Sequence, residues 1–156
     1  MAPLPIKIEH RIGVQTPAEP IWELISDING WSAWNPLYPR AEGKLGFGSV
    51  LTLEVAIPGQ ATRTIKPVMR EWTPNEQIIW DLKMMGGLIR SVRYIEIETL
   101  DNGNCIFSNG ELFQGPLMGL VNRKMRSQIK AAFAQFGEAV RDRAQAAWNA
   151  EHPASI

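Results

Sequence analysis

The chain has 156 residues, 45% of them hydrophobic and 21% charged, which suits one folded domain. Sixteen lysines and arginines balance sixteen aspartates and glutamates, which counts against a general nucleic-acid binder or a polybasic membrane binder. One cysteine, Cys105, excludes an internal disulfide, and two distant histidines, His10 and His152, give no metal-ligand spacing.

Met1 to His10 lacks a basic stretch followed by an apolar core, and no apolar run approaches the ~18 residues of a membrane span. The expectation is a cytoplasmic, non-spanning domain over 1–156 with its core from about 6 to 149. Ile6, Ile8, His10, Ile12 and Val14 share one parity, with Lys7, Glu9, Arg11 and Gly13 on the other, as in a half-buried strand. Thr16 and Pro17 then read as cap and first-turn proline of a short helix whose apolar side is Ile21, Trp22, Leu24 and Ile25. Trp31, Trp34 and Asn35-Pro36 predict one further helical turn and a stop.

From Leu45 to Phe113, turn signals separate short strands at Gly46-Phe47-Gly48, Pro58-Gly59, Thr73-Pro74-Asn75, Gly86-Gly87 and Asp101-Asn102-Gly103. Strands are predicted near Arg40 to Lys44, Ser49 to Ala56, Ala61 to Trp72, Gln77 to Met85, Arg90 to Leu100 and Cys105 to Phe113. With the first they make an antiparallel meander of seven. After Gly115-Pro116, read as cap and first helical position, apolar residues recur from Leu117 through Val121, Met125, Ile129, Phe133, Phe136 and Val140 to Ala147. One long amphipathic helix to about Trp148 is predicted, its cationic side, including Arg123, Lys124, Arg126 and Lys130, reading as a solvated face.

This order of elements resembles the helix-grip fold of the Bet v 1-like superfamily, also called START-like or SRPBCC, over almost the whole chain. The local text is similar to its bacterial polyketide cyclase/dehydrase-like branch. The similar fragments are Pro17-Ala18-Glu19-Pro20-Ile21-Trp22, Trp34-Asn35-Pro36, Glu76 to Trp80, and Gly110-Glu111-Leu112-Phe113-Gln114-Gly115. Two positions depart from the branch's pattern. Asn109 stands where relatives place His or Gln two residues before the glutamate, and Gly137 where the long helix often has asparagine. Asparagine cannot act as a general base, and glycine costs ~1 kcal/mol in a helix interior, which a close approach of helix to sheet, or a bend in the helix, would explain.

The resemblance implies an α+β fold in which a seven-stranded curved antiparallel sheet wraps a long C-terminal helix, with two short helices between strands 1 and 2. It also implies an internal cavity for lipids, polyketides, sterols, plant hormones or other hydrophobic small molecules. A curved sheet under one helix favours the same, because its own side chains do not fill the concavity as a flat sandwich does.

Phe107, Asn109, Glu111 and Phe113 share one parity of the last strand, and the two aromatics argue that this side faces inward. Glu111 then either pairs with an inward Arg93, lies at a wet rim, or serves as ligand anchor or catalytic acid/base. His10, among aliphatics, is either a satisfied core histidine or a second catalytic group. The resemblance sets the first strand antiparallel to the last. Pairing Val14 with Cys105 puts His10 opposite Asn109, with Glu111 on the diagonal ~7 to 8 Å away by Cα.

Trp80, Leu82 and Met84, Arg93, Asn109, Phe107 and Phe113, and Met125, Ile129 and Phe133 complete the expected ligand-binding wall. A gate is expected at Met84 to Ile89 and Ile57 to Gln60, where Ile57, Gly59, Met85, Gly86, Gly87 and Leu88 combine turn glycines with apolar side chains. The alternatives for these turns are contact with a second subunit in a homodimer, or cover for the core edge.

No metal, nucleotide or other cofactor is expected, since neither metal-ligand spacing nor a phosphate loop appears, and no Ser/His/Asp order marks a covalent nucleophile. Three functions remain open: a binding protein for a hydrophobic small molecule, a polyketide cyclase or dehydratase using the same pocket, and a co-chaperone-like protein-interaction module. No nucleic-acid partner is expected.

Overall fold

The computed structural model of the chain describes residues 4–153. Alternating side chains form β1, Ile6–Val14. The apolar stripe of Ala18–Ser26 forms α1, and a 3-10 turn over Ile28–Ala33 follows. Then come β2 (Arg40–Glu42), β3 (Thr52–Val55), β4 (Arg63–Ile65), β5 (Val68–Thr73), β6 (Gln77–Met84), β7 (Ile89–Thr99) and β8 (Cys105–Gln114). The chain closes with α2, Arg123–Glu151.

Every pairing is antiparallel. One sheet runs β1-β8-β7-β6-β5 and a smaller one β2-β3-β4. With α2 lying on the concave side, this is the helix-grip fold that the order of elements implies.

The predicted strand from Ala61 to Trp72 is divided into β4 and β5. Pro67 stands at the division and has no N–H for a ladder. Its carbonyl still accepts from Leu51 N–H at 2.9 Å, and Met69 N–H donates to the Ser49 carbonyl at 2.8 Å. The two sheets thus join through the stretch before β3, and the described residues form eight strands where seven were expected.

The helix starts differ too. Pro17, not Thr16, occupies the N-cap position of α1, and the Thr16 hydroxyl donates to the Pro17 carbonyl. α2 begins at Arg123, not Pro116, because a separate 3-10 turn takes Met118–Leu120 and Asn122 caps the helix by accepting from Met125 N–H at 3.0 Å. The apolar spacing of Leu117, Val121 and Met125 ran through this break unchanged, so periodicity alone did not reveal it.

α2 presents Ile129, Ala132, Phe133, Phe136, Gly137, Val140 and Ala144 to the sheet. Beneath it lies an aromatic cluster. Trp31 stacks on Tyr38 with centroids 5.3 Å apart, and Phe107 meets Phe136 edge-on at 5.7 Å. At Gly137 the helix comes so close to β1 that an added Cβ would sit 3.0 Å from His10 Nδ1 and 3.5 Å from Ile12 Cγ2. The close approach accounts for the glycine.

Candidate functional site

β7 and β8 are paired so that Arg93 lies opposite Glu111 and Ile95 opposite Asn109. β1 pairs with β8 in the register that the resemblance implied, Val14 with Cys105 and His10 with Asn109. Phe107, Asn109, Glu111 and Phe113 therefore share the concave face with Arg93 and Trp80.

Arg93 is only 2% exposed. Its Nε donates to the Tyr38 hydroxyl at 2.9 Å, one Nη to the carbonyls of Tyr94 and Gly110, and the other to Asn109 Oδ1 at 2.9 Å. Asn109 in turn donates to the Phe133 carbonyl of α2 at 3.1 Å. The guanidinium lies over the Phe133 ring, 4.1 Å from its centroid, and makes no ion pair with a carboxylate among the described residues. Arg93 and Asn109, expected as ligand contacts, are thus engaged by each other, by the Tyr38 hydroxyl and by backbone, because buried donors and acceptors must find partners.

Glu111 is the half-buried acid of this face. Burial pushes its pKa above the ordinary carboxylate value, opposed by the positive charge of Arg93, hydrogen bonding from the Ser91 hydroxyl and the charge of Arg63. Burial likewise raises Tyr38, against the charge and hydrogen bond of Arg93. Tyr38, Arg93, Glu111 and Arg63 form one electrostatic group brought together from four separate segments.

Tyr38 and Arg63 were not singled out in the sequence. The signal for Tyr38 was the Asn35-Pro36 turn: Asn35 Oδ1 accepts from the N–H groups of both Leu37 and Tyr38, at 2.9 and 3.0 Å, and so aims the ring inward.

One inward position beyond Glu111, Phe113 opens onto an apolar cavity of about 270 Å³. Met84, Ile89, Met125, Ile129 and Val121 line it, with Gln60, Arg63, Met85 and Leu120 at its edge. Of the expected wall, Met84, Phe113, Met125 and Ile129 therefore face the cavity. Trp80, Phe107 and Phe133 lie instead in the packed core, at 2%, 0% and 2% exposure, and Leu82 is half-buried away from both. The deep concavity is filled because the 3-10 turn and Asn35 loop insert Trp31 and Tyr38 into it. A larger depression of about 510 Å³, among Glu9, Glu76, Glu96 and Glu98, is polar and lies on the opposite sheet face.

The two turns expected as a gate border this cavity. Ile57 is buried and Gly59, with φ +84°, lies against the Gln128 side chain. Gln60 Nε2 donates to Gln128 Oε1 at 3.1 Å, a latch between this turn and α2. Across the mouth, Met85, Gly86 and Gly87 form a 3-10 turn with positive φ at all three, and Leu88 follows, exposed.

His10 is not joined to Glu111. Glu111 faces Ile8 across the ladder, and no hydrogen bond links His10 to Asn109 or Glu111. The imidazole lies under Gly137 with Nδ1 buried and without a hydrogen-bond partner among the described residues. Burial lowers its pKa from 6.5, opposed by Glu138 and assisted by Lys130.

The unfolded chain then binds that proton more tightly. The neutral ring's contribution to stability is complete above pH 6.5 and is lost as pH falls through the lower folded value. Melting His10→Gln above and below pH 6.5 checks this: the variant should lose less stability on acidification than the parent chain. An unchanged loss would contradict the assignment.

Among the described residues no cluster of His, Cys, Asp and Glu could hold a metal ion, and no helix is long and apolar enough to cross a membrane. The fold is shared with solved structures at low identity. The Zhui aromatase/cyclase from Streptomyces sp. R1128 matches at TM-score 0.66 and 17% identity, over 96% of this chain and 97% of that one. Norcoclaurine synthase from Thalictrum flavum matches at 0.66 and 14%, over 89% and 86%.

The di-domain aromatase/cyclase StfQ of the steffimycin biosynthetic pathway matches at 0.72 and 11%. There 94% of this chain is covered but the match spans only 53% of that one. No curated protein matches the chain by sequence. The family model for polyketide cyclase / dehydrase and lipid transport matches residues 5–145. With that match across nearly the whole helix-grip frame, the chain belongs to the polyketide cyclase/dehydrase and lipid transport family.

Proposed function

We propose that the protein binds a hydrophobic small molecule with a polar head, its apolar body in the cavity between the Met85–Gly87 turn and the start of α2, its head toward Glu111. The observation that carries this reading is an apolar cavity whose inner neighbour on β8 is a half-buried acid. Family membership and the aromatase/cyclase neighbours support it. At about 270 Å³ the space is near the lower bound of ~300 Å³ for ligand clefts. A larger guest requires the Gln60–Gln128 latch to open.

Met125→Trp fills the cavity from the partly accessible first turn of α2. Binding of an environment-sensitive naphthalene sulfonate dye should weaken at least about tenfold, equivalent to ~1.4 kcal/mol, with an unchanged circular dichroism spectrum. Undiminished dye binding would end the reading. Native mass spectrometry of freshly purified protein supplies the identity of any co-purified guest.

A second reading, proton transfer to a guest as in cyclisation or dehydration, is favoured by the raised pKa of Glu111, which keeps it able to donate nearer neutral pH. Glu111→Gln separates the two. Loss of turnover with dye and guest affinity retained marks an acid/base, whereas loss of affinity marks an anchor.

A further inference from the structure

The net charge of zero conceals a sharp segregation at the cavity mouth. Three segments build that mouth, residues 57–66, 82–92 and 114–130, and none contains an aspartate or glutamate. Arg63 borders the cavity itself. Lys83 and Arg90 are register partners beside the Met85–Gly87 turn, on the outer sheet face, where they share a shallow depression with Arg70 and Asp81. Arg123, Lys124 and Arg126 occupy the first turn of α2, where the helix dipole already presents positive charge and cations are disfavoured. None of the six makes an ion pair among the described residues.

Inside this cationic collar stand three exposed apolar side chains: Met85 at 56%, Leu88 at 45% and Leu120 at 54% exposure. They lie on two 3-10 turns tied together by Leu117 N–H donating to the Leu88 carbonyl at 3.1 Å. Met85 and Leu120 border the cavity directly. Met85 holds φ +52°, a conformation that disfavours a non-glycine residue, yet its side chain faces water.

We propose that this mouth docks on an anionic lipid surface, with Met85, Leu88 and Leu120 entering the headgroup and acyl boundary and the cationic collar meeting the lipid phosphates. Apolar tips surrounded by basic residues are what such a surface recognises, and binding grows with both terms. A second copy is a poor occupant, since a two-fold interface would bring two equally basic faces together. A bilayer also receives apolar tips that surround an open apolar cavity, so a guest can pass between cavity and hydrocarbon without crossing water. The inference goes beyond ligand binding and needs no guest in the cavity.

Cosedimentation of the full chain with vesicles tests it. The protein should pellet with phosphatidylcholine vesicles containing phosphatidylglycerol, remain in solution with phosphatidylcholine alone, and be released by salt. The Arg123→Ser, Lys124→Ser double variant should bind roughly 30-fold more weakly, and Leu88→Asp should also weaken binding. Phe47→Asp, on the exposed loop before the opposite end of β3, should leave it unchanged.

Melting curves establish that each variant is folded, and the cavity-filled Met125→Trp chain should still pellet, which separates this result from the ligand reading. Failure to pellet with the anionic vesicles at low salt overturns the proposal, including the case of an acidic protein as the true partner. Equal binding to both vesicle types overturns it, as does sensitivity to Phe47→Asp with indifference to Leu88→Asp.

Discussion

Replacing Arg93 with alanine is expected to destabilise the protein by about 3 to 5 kcal/mol, the usual cost of removing one member of a buried charged network. The side chain is 2% exposed and supplies hydrogen bonds to the Tyr38 hydroxyl, Asn109 and two backbone carbonyls. Its removal leaves Asn109 Oδ1 with no donor in a site that water does not reach.

Arg93→Lys should recover only a small part of the loss, because an ammonium cannot span the acceptors that the planar fork reaches. Arg93→Ala also removes the positive charge opposing the upward shift of Glu111, so the Glu111 pKa should climb further in that variant. Urea unfolding gives the stability and carboxyl NMR titration gives the shift. A midpoint within experimental error of the parent chain would refute the structural role of the network.

Gly110→Val should cost about 3 kcal/mol, near the upper end for forcing volume into a packed site. An added Cβ at Gly110 would sit 2.7 Å from the Ile8 carbonyl oxygen of β1 and also collide with the Tyr94 side chain, which lies over the glycine on the outer sheet face. The Tyr94 hydroxyl there donates to Glu9. Gly110→Ala should cost less, and part of that cost should vanish when Tyr94→Ala is added, because the clash is shared between the two positions. Thermal melts of the two single variants and the double complete the cycle, and strict additivity would show that the tyrosine is not the obstacle.

The fragment Gly110 to Gly115 shows how much of the candidate site was legible. Alternation along Phe107, Asn109, Glu111 and Phe113 placed four side chains on the concave face, and the strand adjacency implied by the resemblance, joined to parity, set His10 opposite Asn109. The glycine at 115 marks a real conformational need, φ +111° against the Leu88 carbonyl. Parity says which face a side chain takes but not how far into the concavity another segment reaches. For that reason Trp80, Phe107 and Phe133 read as cavity wall and proved to be core.

Local pattern by itself determined most of the strands, their faces and turns and the long C-terminal helix, because period and turn chemistry act between near neighbours in the chain, whereas the pairing of β1 with β8 came from the resemblance. Tertiary structure alone decided what fills the space they enclose. Trp31 and Tyr38 enter from the loop before β2, Asn109 is consumed by Arg93 and Phe133, and His10 is capped by Gly137. It also gathered the cations of three segments far apart in a chain of zero net charge around one mouth. Burial, hydrogen-bond satisfaction and summed charge depend on distances between residues far apart in sequence, and only the folded chain sets those distances.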